Sequence, residues 1–517
     1  MSIDKDFALT ALLGHNYLPT QREAHEEMPP IFSTVAFSPT VARALGTLEF
    51  RTSKVTGYSG YDHVEYKLTR FNSVCRILAM PHPLPYAKLC LSLHEHWEKF
   101  DYIVDNPNSQ IKPQQYSDGR LIIMNGYSNT VEKSNRHLSH AFGKLYRVST
   151  DIANCFPSIY SHAVPWALVG HEEAKKNKMA KNVWYNQIDK NLRACRRDET
   201  QGIAIGPGTS NVLAEIILAR IDEALRKNGF SYTRFIDDYT CHCETEERAA
   251  EFVRLLEAEI AKYKFQLNIK KTMVLRLPQP LSDAWVVELN HRLPNTETVS
   301  AYQAFQFLDF AVSLNSANPD GSVLKFAAKA LLGKPLPGLA HGEVLNYLLT
   351  LAFQQPVLLP FLEGLLKDNA IQFTGTSFFF GEETHKLNAI VLENARVGRS
   401  DGMCWALYFL GYHNAQIEDE VATKVVGTRD AFTLLTLYWT GQHQDKVIGF
   451  CDTLDSKDLY ELDSYWVLLY QLFHDGKLDN PYEDGVFEVM KAHDVNLLRP
   501  KVDESQTDAV TAVASDE

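Results

Sequence analysis

Apolar positions follow two regimes along this chain. As far as about residue 315, short β-branched and aromatic runs alternate with helical stripes; beyond it only helical stripes remain. Tyr66–Pro81 reads as short strands, and 84–100 as a helix through Leu89, Leu93 and Trp97. YRVSTDI at 146–152 is a strand by its β-branched content. Leu213, Ile216, Ile217, Ile221 and Leu225 make the buried stripe of a helix over 209–228, with Thr209 or Ser210 as its cap and Gly229 past its end. YTRFI and YTCHC predict two short strands of a hairpin with Asp237 and Asp238 at its turn. A helix over 246–263 follows, and FQFLDFAVSL at 305–314 reads as a closing strand. The first 60 residues, with Pro19, Pro29, Pro30 and Pro39, read as irregular.

The turn formers SANPDGSV at 316–323 predict a boundary. Helical runs then recur at 343–353, 357–366, 386–396, 401–411, 431–440 and 464–474, the pattern of paired helices in a stack. The expected organisation is an N-terminal segment 1–65, an α+β unit 66–318, an all-α, HEAT-like helical-repeat unit 319–503 and a disordered polar tail 504–517.

Composition narrows the class. Apolar residues make up 45% of 517, enough for packed cores in more than one domain. No run of about 18 apolar residues predicts a membrane span, and MSIDKDFALT lacks the pattern of a secretory signal. Eight scattered cysteines, none in a C-x-x-C pair, read as reduced thiols in a cytoplasmic protein. The net charge of −13 lies wholly in residues 325–517, which hold 15 basic and 28 acidic residues; the first 324 hold 36 of each. Within that neutral part, 175–197 carries eight basic residues against Asp189, with Trp184 and Tyr185 between them, a surface suited to a nucleic-acid backbone or equally to a solvated helix face.

The candidate chemistry lies in three aspartates, Asp151 in VSTDIANCFPSIY and Asp237 with Asp238 in RFIDDYTCHC. Three carboxylates converging from two strands suit hard divalent ions, which prefer oxygen ligands. Two such ions clamp the attacking and leaving oxygens of an in-line displacement. Phe156 follows Asp151 by five residues, and the turn GIAIGPGTS at 202–210 opens the next helix. Cys241-His242-Cys243 and His94-x-His96 are structural by their spacing, and no phosphate-loop spacing is present.

This series resembles the palm of reverse transcriptases. FIDDY matches their aromatic-x-Asp-Asp box, DIANCFPSIY their first aspartate box, and GIAIGPGTS with NVLAEIILARID the block between; TRFNSVCRILAMPHP at 69–83 is similar to their fingers and FLDF at 307–310 to their primer-grip strand. The wording of these boxes is most similar to bacterial abortive-infection (Abi) and related defence-associated reverse transcriptases. The resemblance covers about residues 30–315 closely and the helical region more loosely. It implies reverse-transcriptase-type fingers and palm followed by the helical-repeat domain.

The resemblance also implies roles. Asp151 and Asp237 would bridge Mg²⁺ or Mn²⁺, with Asp238 in support and the Ile152 carbonyl as a further ligand. Phe156 would lie under the sugar and favour dNTPs. Gly206 would let backbone approach the incoming nucleotide. Arg70 and Arg76 would reach its triphosphate, and Lys271 the leaving pyrophosphate. Phe235 departs from the tyrosine common in the box, and Ile205 from the glutamine of the template-side loop. These departures, and an acidic helical region where a basic thumb is usual, fit Abi-like enzymes. That group makes single-stranded DNA primed on a protein hydroxyl, in some cases without a template. Tyr17, in an N-terminal segment expected to be mobile, is one candidate primer among 23 tyrosines. The expected role is antiphage defence by a homo-oligomer. The alternatives are a templated enzyme copying a dedicated noncoding RNA, and a non-catalytic scaffold or sensor of phage infection. The second is opposed by three repelling carboxylates that a dead palm has no reason to keep.

Overall fold

A computed structural model describes residues 3–18, 27–51, 60–70, 74–116, 119–122, 130–319, 322–337, 339–372 and 380–501. The tail 504–517 lies outside them. The first part comprises α1 (Lys5–Thr10), a π-turn Ala11–His15, α2 (Pro39–Gly46), a hairpin of β1 (His63–Thr69) and β2 (Cys75–Pro81), and α3 (Pro83–Glu95). A small hairpin, β3 (Gln114–Gln115) and β4 (Leu121–Ile122), and α4 (Thr130–Ala141) lead into the palm. The palm holds β5 (Tyr146–Asp151), α5 (Cys155–Ser158), α6 (Ala163–Val169), α7 (His171–Lys176), α8 (Trp184–Ala194), α9 (Gly208–Lys227), β6 (Tyr232–Phe235), β7 (Asp238–Cys243), α10 (Glu246–Lys262) and β8 (Met273–Arg276).

Four strands in the order β6-β7-β5-β8, all antiparallel, make the central sheet. Helix α10 packs on β7, β5 and β8, α9 reaches β6 through Glu215 and Asp222, and the predicted stripe of α9 is fully buried. The helix begins after Pro207 with no side-chain cap, so neither Thr209 nor Ser210 caps it, and Gly229 follows with φ +76° as expected.

The helices beyond the sheet are α11 (Ala284–Arg292), α12 (Ala301–Ala317), α13 (Val323–Leu332), α14 (Leu339–Gln354), α15 (Glu363–Gln372), α16 (Phe380–Val397) and α17 (Ser400–Tyr412). They continue as α18 (Asp419–Thr428), α19 (Ala431–Trp439), α20 (Gln444–Cys451), α21 (Leu459–Asp463), α22 (Trp466–His474) and α23 (Val486–Ala492). Most pack on a neighbour or next-but-one, α14 on α16, α16 on α17 and α18, α17 on α19 and α18 on α20, while α19 packs on α22 and α23 on α2. That is stacked helical pairs, and the fold is α+β with a helical C-terminal region.

Two expectations are corrected. FQFLDFAVSL is part of α12 and not a primer-grip strand. Ala304, Phe307, Leu308, Ala311 and Leu314 recur at helical spacing and are buried, and Ser300 with Gln303 closes a capping box at its start. The boundary expected at 316–323 falls between α12 and α13, and these two helices pack on each other. The described part of the N-terminal segment is not irregular throughout, since it forms α1, the π-turn and α2. Its apolar residues Leu9, Leu12, Leu13 and Tyr17 are buried in the common core, and β1 packs on α17, α19 and α22. The helical region therefore rests on the fingers hairpin. Thr69 N–H and hydroxyl donate to Asp401 (2.8 and 2.9 Å), and Trp466 Nε1 donates to the Met80 carbonyl (3.3 Å).

Candidate active site

Register brings the aspartates together. Asp151 ends β5 directly opposite Asp238, the first residue of β7, and Asp237 occupies the two-residue turn between β6 and β7. The other turn residue, Ile236, has φ +54°, a conformation costly for a β-branched side chain. Arg234 holds that turn. Its Nη1 donates to the Ile236 carbonyl (2.8 Å), and the rest of the guanidinium is paired with Glu215 (2.7 and 2.9 Å) and Asp222 (2.7, 2.9 and 3.1 Å) of α9. Arg234 is fully buried; burial alone would lower its pKa, but Asp222 and Glu215 outweigh that and raise it well above the ordinary value. Sequence reading passed over this residue. Glu215 and Asp222, seven apart in an otherwise apolar stripe, were the signal that a buried cation must face them.

Further backbone bonds fix the ends of the strands. Ile152 N–H donates to the Asp237 carbonyl (3.2 Å), and Asn268 N–H to the Asp151 carbonyl (2.9 Å). Burial first, then the charge of Asp238, pushes the Asp237 carboxyl up to about 6; burial also raises Asp238. Lys271 Nζ pairs with Asp151 Oδ2 at 2.5 Å, the main reason its own pKa is raised. Thus Lys271 stands on a carboxylate in this state, and among the described residues no three carboxylate, imidazole or thiol groups are already gathered as a metal cage.

The donor set nonetheless fits a hard divalent cation. Asp151 Oδ1 is buried with no hydrogen-bond partner, and both neighbouring carboxyls are held in a form that positive charge would relieve. Lys271 is 64% exposed along its side chain and free to swing away.

Phe156 is buried in α5, and its carbonyl accepts from Ile203 N–H (3.1 Å), which ties it to the glycine-rich turn. Gly206 in that turn has φ +127°, which any Cβ would strain. The same turn is bound to the fingers, since Ala79 N–H donates to the Ile205 carbonyl (2.8 Å). Arg76, half-buried on β2, feels the charge of Asp237; burial and then Arg70 lower its pKa. Arg70 is exposed at the end of β1.

Tyr17, expected in a mobile segment, is instead packed inside the fold. It is fully buried, stacks on Tyr86 with ring centroids 3.9 Å apart, and donates to the Pro81 carbonyl (2.6 Å). The basic stretch 175–197 is partly neutralised: Arg193 pairs with Asp189 and Asp198, Arg197 with Asp62, and Tyr185 is buried. All eight cysteines are free. Cys241 and Cys243 share one face of β7, Sγ atoms 3.7 Å apart. No helix among the described residues is long and apolar enough to cross a membrane.

A family model described as reverse transcriptase (RNA-dependent DNA polymerase) matches residues 97–311. The chain therefore contains a reverse transcriptase domain, a nucleotidyltransferase module, and the three aspartates lie inside it. No curated protein matches the chain. Among solved structures it is similar to the apo telomerase from Candida tropicalis truncated from its C-terminal domain, at 12% identity over 44% of this chain and 53% of that one, TM-score 0.31. The untruncated apo telomerase from the same organism gives 11%, 84% and 76%, TM-score 0.32. Its complex with a TWJ fragment of telomeric RNA gives 11%, 80% and 67%, TM-score 0.31. The chain spans about half the length of the first of these.

Proposed function

We propose that the protein is a DNA polymerase of reverse-transcriptase type acting in antiphage defence, that it joins dNTPs by two-metal nucleotidyl transfer, and that it starts on a hydroxyl of its own chain without needing a template. The observation that carries the polymerase reading is the pairing of Asp151 with Asp238, beside Asp237, at one end of the palm sheet. Bound divalent cations supply a clamp on the attacking and leaving oxygens. The chain's own groups do the rest. Asp151 and Asp237 hold the ions, with Asp238 and the Ile152 carbonyl in support. Phe156 sits beneath the sugar, Gly206 lets the backbone close on the nucleotide, and Arg76 with Arg70 takes the phosphates. The attacking hydroxyl oxygen bonds to the α-phosphorus, the bond to the β-phosphate oxygen breaks, pyrophosphate leaves and the hydroxyl proton passes to water. Lys271, released from Asp151, neutralises the departing pyrophosphate.

The defence role and the priming rest on the similarity of the boxes to Abi-like enzymes. Two features of this chain support them. Ile205 stands where a template-contacting glutamine is usual, and the region after β8 is helical and acidic, a poor grip for an external duplex. With Tyr17 buried, Tyr302 on α12, 70% exposed, is the better candidate by access. Nuclease-treated protein incubated with labelled dNTP should carry label that survives boiling in detergent and is released by protease. Label found only on added oligonucleotide primers would return the protein to the ordinary templated class.

A further inference from the structure

Basic side chains gather around one further cavity. A cavity of 620 Å³ lies between the fingers hairpin and the helices that follow the palm. Arg70 and Arg76 reach it from the hairpin, Lys325 from the start of α13 and Arg399 from the residue before α17. The acids on its wall are Glu27 and Asp401, and both oxygens of Asp401 already accept from Thr69.

Arg399 is only 8% exposed, yet its side chain makes one polar contact among the described residues, Nη1 to the Gln354 carbonyl at 3.5 Å. Arg76 makes no hydrogen bond or ion pair among them. Trp405, on the same wall, is fully buried with its indole N–H unpartnered. The first turn of α13 also lines the cavity, and Ser322 before it gives no side-chain cap. Unsatisfied buried donors are costly. Guanidinium groups, an indole N–H and an uncapped helix start call for a ligand rich in anionic oxygens. The volume is that of a site for a small molecule rather than a bound ion.

We propose that this cavity binds the phosphate chain of a nucleoside triphosphate, and that Arg399, from the C-terminal helical region, is a direct ligand of that chain together with Arg76. The identity of the ligand as a nucleotide rests on the polymerase reading; the anion site itself does not. The helical region thereby completes a nucleotide site in the fingers. Thr69 to Asp401, and Lys67 N–H donating to Ser400 Oγ (2.8 Å), hold the two arginine-bearing elements in register.

The test is calorimetric titration of the full-length protein with inorganic tripolyphosphate in EDTA. Wild type should bind, Arg399→Gln and Arg76→Gln should each bind about tenfold more weakly, and Asp237→Asn should bind as wild type. A folded Arg399→Gln that binds as tightly as wild type overturns the proposal. If that variant fails to fold, Arg399→Met and Arg76→Gln decide, and unchanged affinity in a folded Arg76→Gln overturns it equally. Arg399-dependent binding by a protein that incorporates no dNTP upholds the anion site while removing the polymerase reading.

Discussion

Asp237→Ala should lower nucleotide incorporation by several orders of magnitude while leaving the melting temperature at pH 7–8 unchanged or higher. On the proposed role of Asp237, the activity loss follows from removing a carboxylate that would hold the catalytic ions, whose charge stabilisation the remaining groups could not supply. The stability effect has the opposite sign. Asp237 is half-buried and shares its corner with Asp238 and Asp151, and its carboxyl is pushed up to about 6. A carboxyl whose folded pKa lies above its unfolded value of 3.8 destabilises the fold above pH 6, and the penalty fades as pH falls from 6 toward 4. Removing it relieves that penalty at neutral pH. Incorporation of labelled dNTP and thermal melts on one preparation check both halves. A folded variant that polymerises near the wild-type rate would sink the assignment.

Arg234→Met should destabilise the protein by about 3–5 kcal/mol, because it strands Glu215 and Asp222 as unpaired charges inside the palm. All three side chains are buried, and the guanidinium spans both acids and the Ile236 carbonyl. Arg234→Lys keeps a charge but not the planar fork, so it should fall between. It should also loosen the strained Ile236–Asp237 turn and cost activity beyond its cost in stability. Urea unfolding measures the first effect; a loss below about 1 kcal/mol for Arg234→Met would show that the network is not load on the fold but a local ornament of it.

The palm was legible because its signals are local. The α9 stripe, the hairpin at 232–243 and the aspartates at strand ends each show in a window of a dozen residues. FQFLDF was misread because Phe305 and Phe307 on either side of Gln306 mimic a strand. The helical spacing shows only over the longer run from Ala304 to Leu314, and the Ser300–Gln303 box lies before it. Tyr17 could not be placed from sequence, since its burial depends on Tyr86 and Trp466 from distant segments. The docking of α17 on β1 through Asp401 is likewise a tertiary choice that no local pattern encodes.

The central claim is that Asp151, Asp237 and Asp238 hold the ions for nucleotidyl transfer. The most direct measurement is Mn²⁺ binding, read by paramagnetic resonance, with a dNTP whose α–β bridge cannot be cleaved. Wild type should take up about two ions per chain, and Asp151→Asn/Asp237→Asn, folded and at the same nucleotide concentration, should take up none beyond those carried by the free nucleotide. Equal uptake by both proteins would contradict the account.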